Sequence, residues 1–422
     1  MSKIPVIAEK SLFYRVLRAY VRFWHNVIFY RKVEVKNFPT NIPAGTPLLF
    51  VANHQNTLMD ALAIVLNVGA YQPVFLTRAD VFKRSFVRNL LVKLRMLPVY
   101  RPHDGRDEMQ QNDEVFSQCI QILASGNELA AFPEGNHGVQ YHLRPFKKGL
   151  ARIVCQAETE HNWQLGIQIV PVGLYYTHCR KMGERLVLNF GTPIQVQAFQ
   201  QTYQENAPRA LTQLTRQMSE SIKSLMLHFE DIQQHDTLKW LTDWKIRQRG
   251  DMLTNVLNRA TDLEKLRQTA PEQYAQYLQQ AAYTKQQMDA RGIEAEVAGM
   301  PESSWMELII KGLLLILVSP VALYGWFNSL LPFSLPWFVT RRLKDPQFSN
   351  AIRIVLYALV TFPLIWAVQI LLVRTFFDAQ TALFYAFSLP LTAYFAHRWA
   401  RWWMEWQMQI LSRNLPNLNL FA

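Results

Sequence analysis

Short apolar runs alternate with helical segments between residues 47 and 194, and this alternation limits the possible folds more than any other feature of the chain. Runs typical of strands occupy residues 48–52, 74–77, 97–101, 128–132 and 168–172, and segments typical of helices lie between most of them. The pattern predicts an α/β fold with a mixed sheet flanked by helices. Residues 33–35 add a short strand, and residues 187–194 are expected to add an edge segment. In such a sheet, site residues gather where strands end.

The first strong strand ends in a histidine that has a carboxylate nearby in the sequence. Residues 48–60 read LLFVANHQNTLMD, so His54 follows the strand and Asp60 lies near the start of the next helix. A carboxylate at this place can fix the imidazole tautomer and stabilise the imidazolium. The stretch therefore predicts His54 as a general base and Asp60 as its orienting partner, although such residues also serve as turn and cap residues.

Two further strands end in charged residues. The run 97–101 closes with Arg101, and the run 128–132 leads into a loop, PEGNHG, that begins at Pro133. Pro133 cannot donate to a sheet and Gly135 permits a tight turn, so Glu134 is presented on a loop at a strand end. His54, Arg101 and Glu134 can thus act as base, phosphate holder and hydroxyl orienter, which favours a catalytic site.

Composition limits the cellular compartment in which the protein is expected and the class of molecule that it is expected to bind. The chain has 422 residues and a formal net charge of +12, which suits anionic lipid, phosphorylated substrates or nucleic acid. No nucleic-acid fold signature accompanies the charge. The three cysteines lack C-x-x-C spacing, so we expect a reducing compartment, no disulfide framework and no metal site. Arginines interrupt the N-terminal apolar residues, and we expect no cleaved signal peptide.

The chain divides into four segments by composition. Residues 1–32 predict an amphipathic helix, and residues 33–230 hold the strands and helices described above. Residues 231–304 are polar and helical in composition, and residues 305–422 form a hydrophobic region. The N-terminal helix has a basic side of Arg15, Arg18 and Arg22. Its apolar side can lie in a membrane interface or pack on the protein's own core, and a membrane region elsewhere in the chain would favour the interface.

The C-terminal region predicts an integral membrane protein. Residues 308–331 are apolar but interrupted by Pro320 and Gly325, and residues 354–396 are long enough for a hairpin. Arginines precede and follow this hairpin, which predicts that both of its ends lie in the cytoplasm. With a cytoplasmic catalytic domain, residues 308–331 must then enter and leave the membrane on one side, as a re-entrant or interfacial element. A segment that spans the membrane is the alternative. Four tryptophans beyond the hairpin predict an interfacial belt: Trp399, Trp402, Trp403 and Trp406.

Four motifs give the chain a family resemblance. The chain resembles the glycerolipid acyltransferase superfamily over roughly residues 10–230, and four of its segments resemble the motifs of that family: VANHQNTLMD, LPVYR, AFPEGNHG and IVPVGL. Two further segments, FKKGLARI and FGTPI, also resemble the family. The resemblance implies that His54 deprotonates the acceptor hydroxyl and that Asp60 orients His54. It also implies the binding residues: Arg101 for acceptor phosphate, Glu134 with Gly135 to shape the acceptor site, and Pro171 beside the acyl donor.

The chain departs from the commonest family pattern at two places. Five residues, rather than four, separate His54 from Asp60, and this longer form resembles a branch that includes eukaryotic glycerol-3-phosphate acyltransferases. The third motif continues with Asn-His-Gly where the family usually has Thr-Arg or Ser-Arg. A phosphate contact from that position is then expected of Arg144, Lys147 or Lys148.

These features predict a membrane-bound O-acyltransferase that needs no cofactor. It would move a fatty acyl chain from acyl-CoA or acyl carrier protein to a glycerol-3-phosphate-type acceptor, with membrane lipid as its partner and no nucleic acid. Acylation of lysophosphatidate, of another lysophospholipid or of an aminolipid is the main alternative. A catalytically silent lipid-binding protein and a membrane-tethered nucleic-acid binder are the alternatives from other classes.

Overall fold

The computed structural model describes residues 7, 11–82, 85–100, 106–244, 251–295, 303–343 and 348–413. The chain divides into two compact units. Unit one comprises Met1–Cys179 and Glu184–His228, and unit two comprises Arg180–Gly183 and Phe229–Ala422.

A mixed sheet organises unit one, as the sequence predicted. Its strands within the described residues are β1 (Lys32–Lys36), β2 (Leu48–Ala52), β3 (Val74–Arg78), β4 (Met96–Val99), β5 (Glu128–Ala131), β6 (Gln168–Tyr176), β7 (Arg185–Phe190) and β8 (Ile194–Gln195). Their order is β1-β7-β6-β2-β5-β3-β4, with β8 paired to β6. Most neighbours are parallel, whereas β6 pairs with β7 and β8 in antiparallel fashion. The expectation of an edge segment at residues 187–194 was wrong, because β1 pairs with β7 on its outer side.

Helices cover the sheet and bury its central strands. They are α1 (Leu12–Phe23), α2 (Leu58–Asn67), α3 (Ser85–Lys93), α4 (Arg106–Ala124), α5 (Gly149–Glu160), α6 (Gln200–Glu205) and α7 (Ala207–Leu225). Every residue of β2 is buried. Leu49 and Val51 share a hydrophobic cluster with residues of α4, α5 and α7, and Phe50 contacts Tyr71 and Phe190 on the opposite face. A strand that is covered on both faces is apolar throughout, which explains why β2 shows no alternation in sequence.

Helix α1 has its apolar stripe exposed. Its outward side chains recur at spacings that keep them on one face: Leu12, Phe13, Val16, Tyr20 and Phe23. Tyr14 points inward, and Arg18 donates to the carbonyls of Val65 and Gly69 at 2.8 Å each. A π-helical turn, Trp24–Phe29, continues the helix and buries His25. The apolar stripe therefore does not pack on the core of unit one.

The regular secondary structure of unit two is helical within the described residues. It contains α8 (His235–Asp243), α9 (Met252–Thr269), α10 (Pro271–Asp289), α11 (Trp305–Thr340), α12 (Ser349–Leu356), α13 (Phe362–Phe376) and α14 (Ala379–Ser412). A π-helical turn at Tyr357–Thr361 joins α12 to α13. Two of the described helical stretches, Trp305–Thr340 and Ser349–Phe376, are long and apolar enough to cross a membrane. Helices α11 and α14 pack closely, since a side chain at Gly325 would collide with the backbone of Thr392.

Helix α11 continues through Pro320 and Gly325, the two residues that interrupt its apolar sequence. A proline inside a helix frees the carbonyl four residues earlier. Side chains satisfy each of the three carbonyls freed in α11. Ser319 donates to the carbonyl of Ile316 at 2.7 Å, Gln369 to that of Asn328 at 3.1 Å, and Thr361 to that of Pro332 at 2.9 Å. These donors allow a helix with Pro320, Pro332 and Pro336 to remain continuous.

The tryptophans of α14 differ in their surroundings. The indole N–H of Trp399 donates to the carbonyl of Leu315 at 2.9 Å, and that of Trp406 donates to the carbonyl of Leu308 at 2.8 Å. Trp402 is exposed. Trp399 and Trp406 thus bind α11 directly.

Candidate active site

His54 and Asp60 meet at the end of β2. The imidazole Nδ1 lies 2.9 Å from the Asp60 Oδ2. The His54 side chain is 16% exposed and the Asp60 side chain is fully buried. When the Nδ1 carries the proton and donates to Asp60, the Nε2 is left with a lone pair. The pair thus has the geometry of a general base with an orienting carboxylate.

The five-residue spacing is accommodated by a loop that wraps around the carboxylate. The backbone N–H groups of Gln55 and Asn56 donate to the Asp60 Oδ2 at 2.7 and 2.6 Å. Thr57 turns the chain with a φ of 49°, a left-handed value that β-branched residues rarely adopt. Asp60 then enters the first turn of α2. The additional residue is absorbed by this turn, so the contact with His54 is preserved.

Asn53 extends the pairing of β2 with β6 beyond the last strand residue. Its side-chain amide donates to the carbonyl of Leu174 at 3.1 Å, and its side-chain oxygen accepts from the N–H of Leu174 at 2.7 Å. Asn53 is fully buried. This side chain holds the start of the His54 loop against β6.

Glu134 fixes the backbone of His54. Its Oε1 accepts from the N–H of His54 at 2.6 Å, and its Oε2 lies 2.8 Å from the Arg144 Nη2. Burial raises the pKa of the Glu134 carboxyl, while Arg144 acts in the opposite direction. Both carboxylate oxygens have protein partners. Glu134 therefore holds the backbone of His54, the candidate general base, in addition to any contact that it makes with an acceptor.

The three cations expected near the third motif have different surroundings. The Arg144 Nη2 donates to the carbonyls of His54 and Asn136 at 2.9 and 2.6 Å, in addition to its ion pair. The Lys148 Nζ donates to the Thr212 hydroxyl at 2.8 Å. Lys147 is exposed.

Lys147 lies beside Gly135. A Cβ added at Gly135 would lie 3.3 Å from the Lys147 Nζ. Gly135 itself has a φ of +74°, a conformation that other residues rarely adopt. A side chain at this position would be strained and would crowd the lysine ammonium. Of the three candidate cations, Lys147 is thus the one that the geometry best suits to a bound anion.

Two predicted residues remain, Arg101 and Pro171. Arg101 falls outside the described residues. Pro171 pairs with Val51 in β2 and lines a cavity of about 780 Å³ together with Phe190 and Leu225. The sixteen residues around this cavity carry no formal charge.

Two aromatic residues at the site were not predicted. The Phe132 ring stacks on the His54 imidazole, with a centroid distance of 3.9 Å and an interplanar angle of 4°. The Tyr176 hydroxyl donates to the Asp60 Oδ1 at 2.7 Å. Phe132 directly precedes the third motif and could have been found from that position. No short-range signal connects Tyr176 to Asp60, because 116 residues separate them.

Comparison with known proteins identifies similar sequences over the same region. The family described as Acyltransferase matches residues 32–175. Glycerol-3-phosphate O-acyltransferase 2 of Saccharomyces cerevisiae is 28% identical over 132 residues, which is 31% of this chain and 17% of that protein. The chloroplastic 1-acyl-sn-glycerol-3-phosphate acyltransferase BAT2 of Brassica napus is 24% identical over 174 residues, which is 40% of this chain and 46% of that protein.

A third relative is similar over a shorter segment. Glycerol-3-phosphate O-acyltransferase 1 of Saccharomyces cerevisiae is 33% identical over 82 residues, which is 19% of this chain and 11% of that protein. The chain therefore spans less than half the length of each of these curated relatives.

Proposed function

We propose that the protein is a membrane-bound O-acyltransferase for a glycerol-3-phosphate-type acceptor. The proposal is supported by the match of residues 32–175 to the family described as Acyltransferase and by the similarity to glycerol-3-phosphate and 1-acyl-sn-glycerol-3-phosphate acyltransferases. The acyl donor in this proposal is a thioester, either acyl-CoA or acyl carrier protein. The observation that carries it is the 2.9 Å contact between the imidazole of His54 and the buried Asp60 carboxylate.

The proposed reaction is a direct transfer. The Nε2 of His54 takes the proton of the acceptor hydroxyl while the hydroxyl oxygen attacks the thioester carbonyl. A carbon–oxygen bond forms, the carbon–sulfur bond breaks, and the departing thiolate takes up the proton held by His54. Asp60 stabilises the imidazolium between these two events. A thiolate is a good leaving group, so a covalent acyl-enzyme is not needed.

The acceptor phosphate requires a cation. Lys147 is our candidate, because its ammonium lies beside Gly135 and the described structure gives it no carboxylate partner. Arg101 keeps the phosphate-binding function that its motif implies. The five-residue spacing between His54 and Asp60 favours glycerol 3-phosphate, and lysophosphatidate, another lysophospholipid or an aminolipid remains the alternative acceptor. Glu134 and Gly135 would shape the acceptor site, and Pro171 would lie beside the donor.

The protein is proposed to be integral to a membrane, with its catalytic unit facing the cytoplasm. Helices α11 and α12–α13 supply two stretches long and apolar enough to cross a bilayer. The exposed stripe of α1 would lie in the interface of the same membrane. Arg15 and Arg22, both exposed, lie beside the stripe and can meet lipid phosphates. This arrangement would bring the acyltransferase domain to the surface where its lipid product is released.

An acceptor panel tests the proposal. Purified full-length protein in phospholipid vesicles is given labelled acyl-CoA or acyl carrier protein with glycerol 3-phosphate, glycerol, lysophosphatidate or an aminolipid. We expect glycerol 3-phosphate to be acylated, glycerol to react poorly, and His54→Ala protein to be slower by at least about a hundredfold although folded. Faster acylation of lysophosphatidate or an aminolipid would favour the alternative acceptor. Binding of lipid without consumption of any thioester would favour a catalytically silent protein.

A further inference from the structure

The Asp60 carboxylate receives hydrogen bonds on both of its oxygens. Oδ2 accepts from the His54 imidazole and from two backbone N–H groups of the loop. Oδ1 accepts from the Tyr176 hydroxyl at 2.7 Å. Within the described residues, Tyr176 is the donor that faces Oδ1. Since a buried carboxylate is costly unless it is hydrogen-bonded, this contact matters for the charge as well as for the orientation of Asp60.

Tyr176 is held rigidly at the end of β6. It is fully buried, and its ring packs against that of Tyr30 at a centroid distance of 6.1 Å. The Tyr141 hydroxyl donates to the backbone carbonyl of Tyr176 at 2.5 Å. Asn53 fixes Leu174, two residues earlier, to the start of the His54 loop. The strand therefore delivers the Tyr176 hydroxyl at a defined position relative to Asp60.

The hydroxyl is suited to be a permanent donor. Burial, together with the neighbouring Asp60 carboxylate, raises the pKa of the Tyr176 hydroxyl well above its ordinary value. It therefore stays protonated over the pH range in which an acyltransferase would work. A neutral donor on Oδ1 leaves the carboxylate charged and keeps its other oxygen directed at His54.

We propose that Tyr176 is a positioning residue of the acyl-transfer reaction, which holds the Asp60 carboxylate in the orientation that His54 requires. The inference rests on the proposed function, in which His54 is the base. Tyr176 does not touch a substrate in this arrangement. Its hydroxyl stops the carboxylate from rotating about the Cβ–Cγ bond, so that Oδ2 remains opposite the Nδ1 of His54. The arrangement then joins three side chains: His54 from the loop after β2, Asp60 from α2 and Tyr176 from β6.

The test is a double-mutant cycle with Tyr176→Phe and Asp60→Asn in the full-length protein. Tyr176→Phe removes one hydrogen bond to a charged group and keeps the ring. We expect kcat to fall by about tenfold and both KM values to stay within about twofold. In the Asp60→Asn background the same change should cost less than about threefold, because the charge it orients is already gone.

Tyr175→Phe is the matched control. Tyr175 is the preceding residue of the same strand and is also fully buried, but its side chain points to the other face of the sheet. We expect this variant to retain wild-type kcat, and thermal unfolding must show that all variants are folded.

The outcomes separate the inference from the proposed function. A wild-type protein that transfers no acyl group would refute the function itself. If the wild type is active, the inference is overturned by a folded Tyr176→Phe variant with kcat within twofold of wild type. It is also overturned by an equal loss in both Asp60 backgrounds, or by a loss confined to KM.

Discussion

Asp60→Asn tests the electrostatic contribution of the carboxylate to the proposed reaction. Three N–H donors converge on the Asp60 Oδ2: the His54 Nδ1 and the backbone groups of Gln55 and Asn56. The substituted side chain must therefore direct its amide oxygen toward them and its NH₂ group toward Tyr176. The Tyr176 hydroxyl can rotate to accept that bond. The fold and the imidazole tautomer are thus preserved, and the negative charge is what the substitution removes.

The size of the effect follows from the distance between the charges. Two unit charges about 4 Å apart attract by about 4 kcal/mol at an effective dielectric constant of 20. That figure corresponds to about a thousandfold in rate, and partial solvent access to His54 reduces it. We expect kcat to fall by between about 10²- and 10³-fold, with both KM values little changed. His54→Ala, which removes the base itself, should lower kcat by about 10²- to 10⁴-fold and at least as much as Asp60→Asn.

The assay is acyl transfer from labelled thioester by full-length protein, with thermal unfolding measured on the same samples. Asp80→Asn is the matched control, because Asp80 is a more exposed aspartate paired with Arg78 in the same unit. It should retain wild-type kcat. A folded Asp60→Asn variant with kcat within about threefold of wild type would show that the Asp60 charge does not assist the base, and the reasoning would fail.

Three further predictions concern other parts of the chain. Lys147→Ala should raise the acceptor KM by roughly tenfold and leave the donor KM unchanged, whereas Lys148→Ala should change neither KM. Equal acceptor KM values in the two variants would exclude Lys147 as the phosphate ligand. Burial lowers the pKa of His25 to about 4, so folding stability should be lost as pH falls from about 6.5 toward 4, by up to about 3 kcal/mol. In the His25→Leu variant, the stability measured by thermal unfolding should lack this loss at low pH. A variant with the same pH dependence as wild type would contradict the prediction. A fluorophore on Val16→Cys should be quenched by brominated lipid in reconstituted vesicles and one on Glu220→Cys should not, while equal quenching would argue against interfacial contact by α1.

Local sequence predicted the contact between His54 and Asp60 because the relevant signals lie close together in the chain. His54 and Asp60 are six residues apart, and the strand–loop–helix pattern around them fixes their side of the sheet. The same reasoning missed Tyr176, which joins the site through the pairing of β6 with β2. It also missed that Glu134 binds the backbone of His54, since 80 residues separate the two. Contacts of this kind depend on strand register, which a single sequence does not specify.

The edge of the sheet illustrates the same limit. Residues 187–194 follow β6 through a short connection, which is compatible with either an edge or an interior strand. Strand β1 pairs with β7 in parallel, from Lys32 with Arg185 to Lys36 with Asn189. Its short, charged sequence is typical of an edge strand, because lysines discourage pairing with another chain. The sequence of β1 is thus typical of an edge strand, but only its pairing with β7 shows which strand lies at the edge of the sheet.

The prolines of α11 lead to a last prediction, about how a continuous helix tolerates them. Pro336 has no N–H, so the carbonyl of Pro332 lacks its helical partner and accepts from the Thr361 hydroxyl at 2.9 Å. Thr361→Val keeps the shape of the side chain but leaves this carbonyl without its donor, at a cost of about 1–3 kcal/mol. Pro336→Ala restores an N–H at the position that the helix itself would use. We therefore expect Thr361→Val to destabilise unit two in the wild-type background and to cost under about 0.5 kcal/mol in the Pro336→Ala background. Unfolding of reconstituted full-length protein by sodium dodecyl sulfate measures both costs. Equal costs in the two backgrounds would mean that Thr361 does not compensate for the proline.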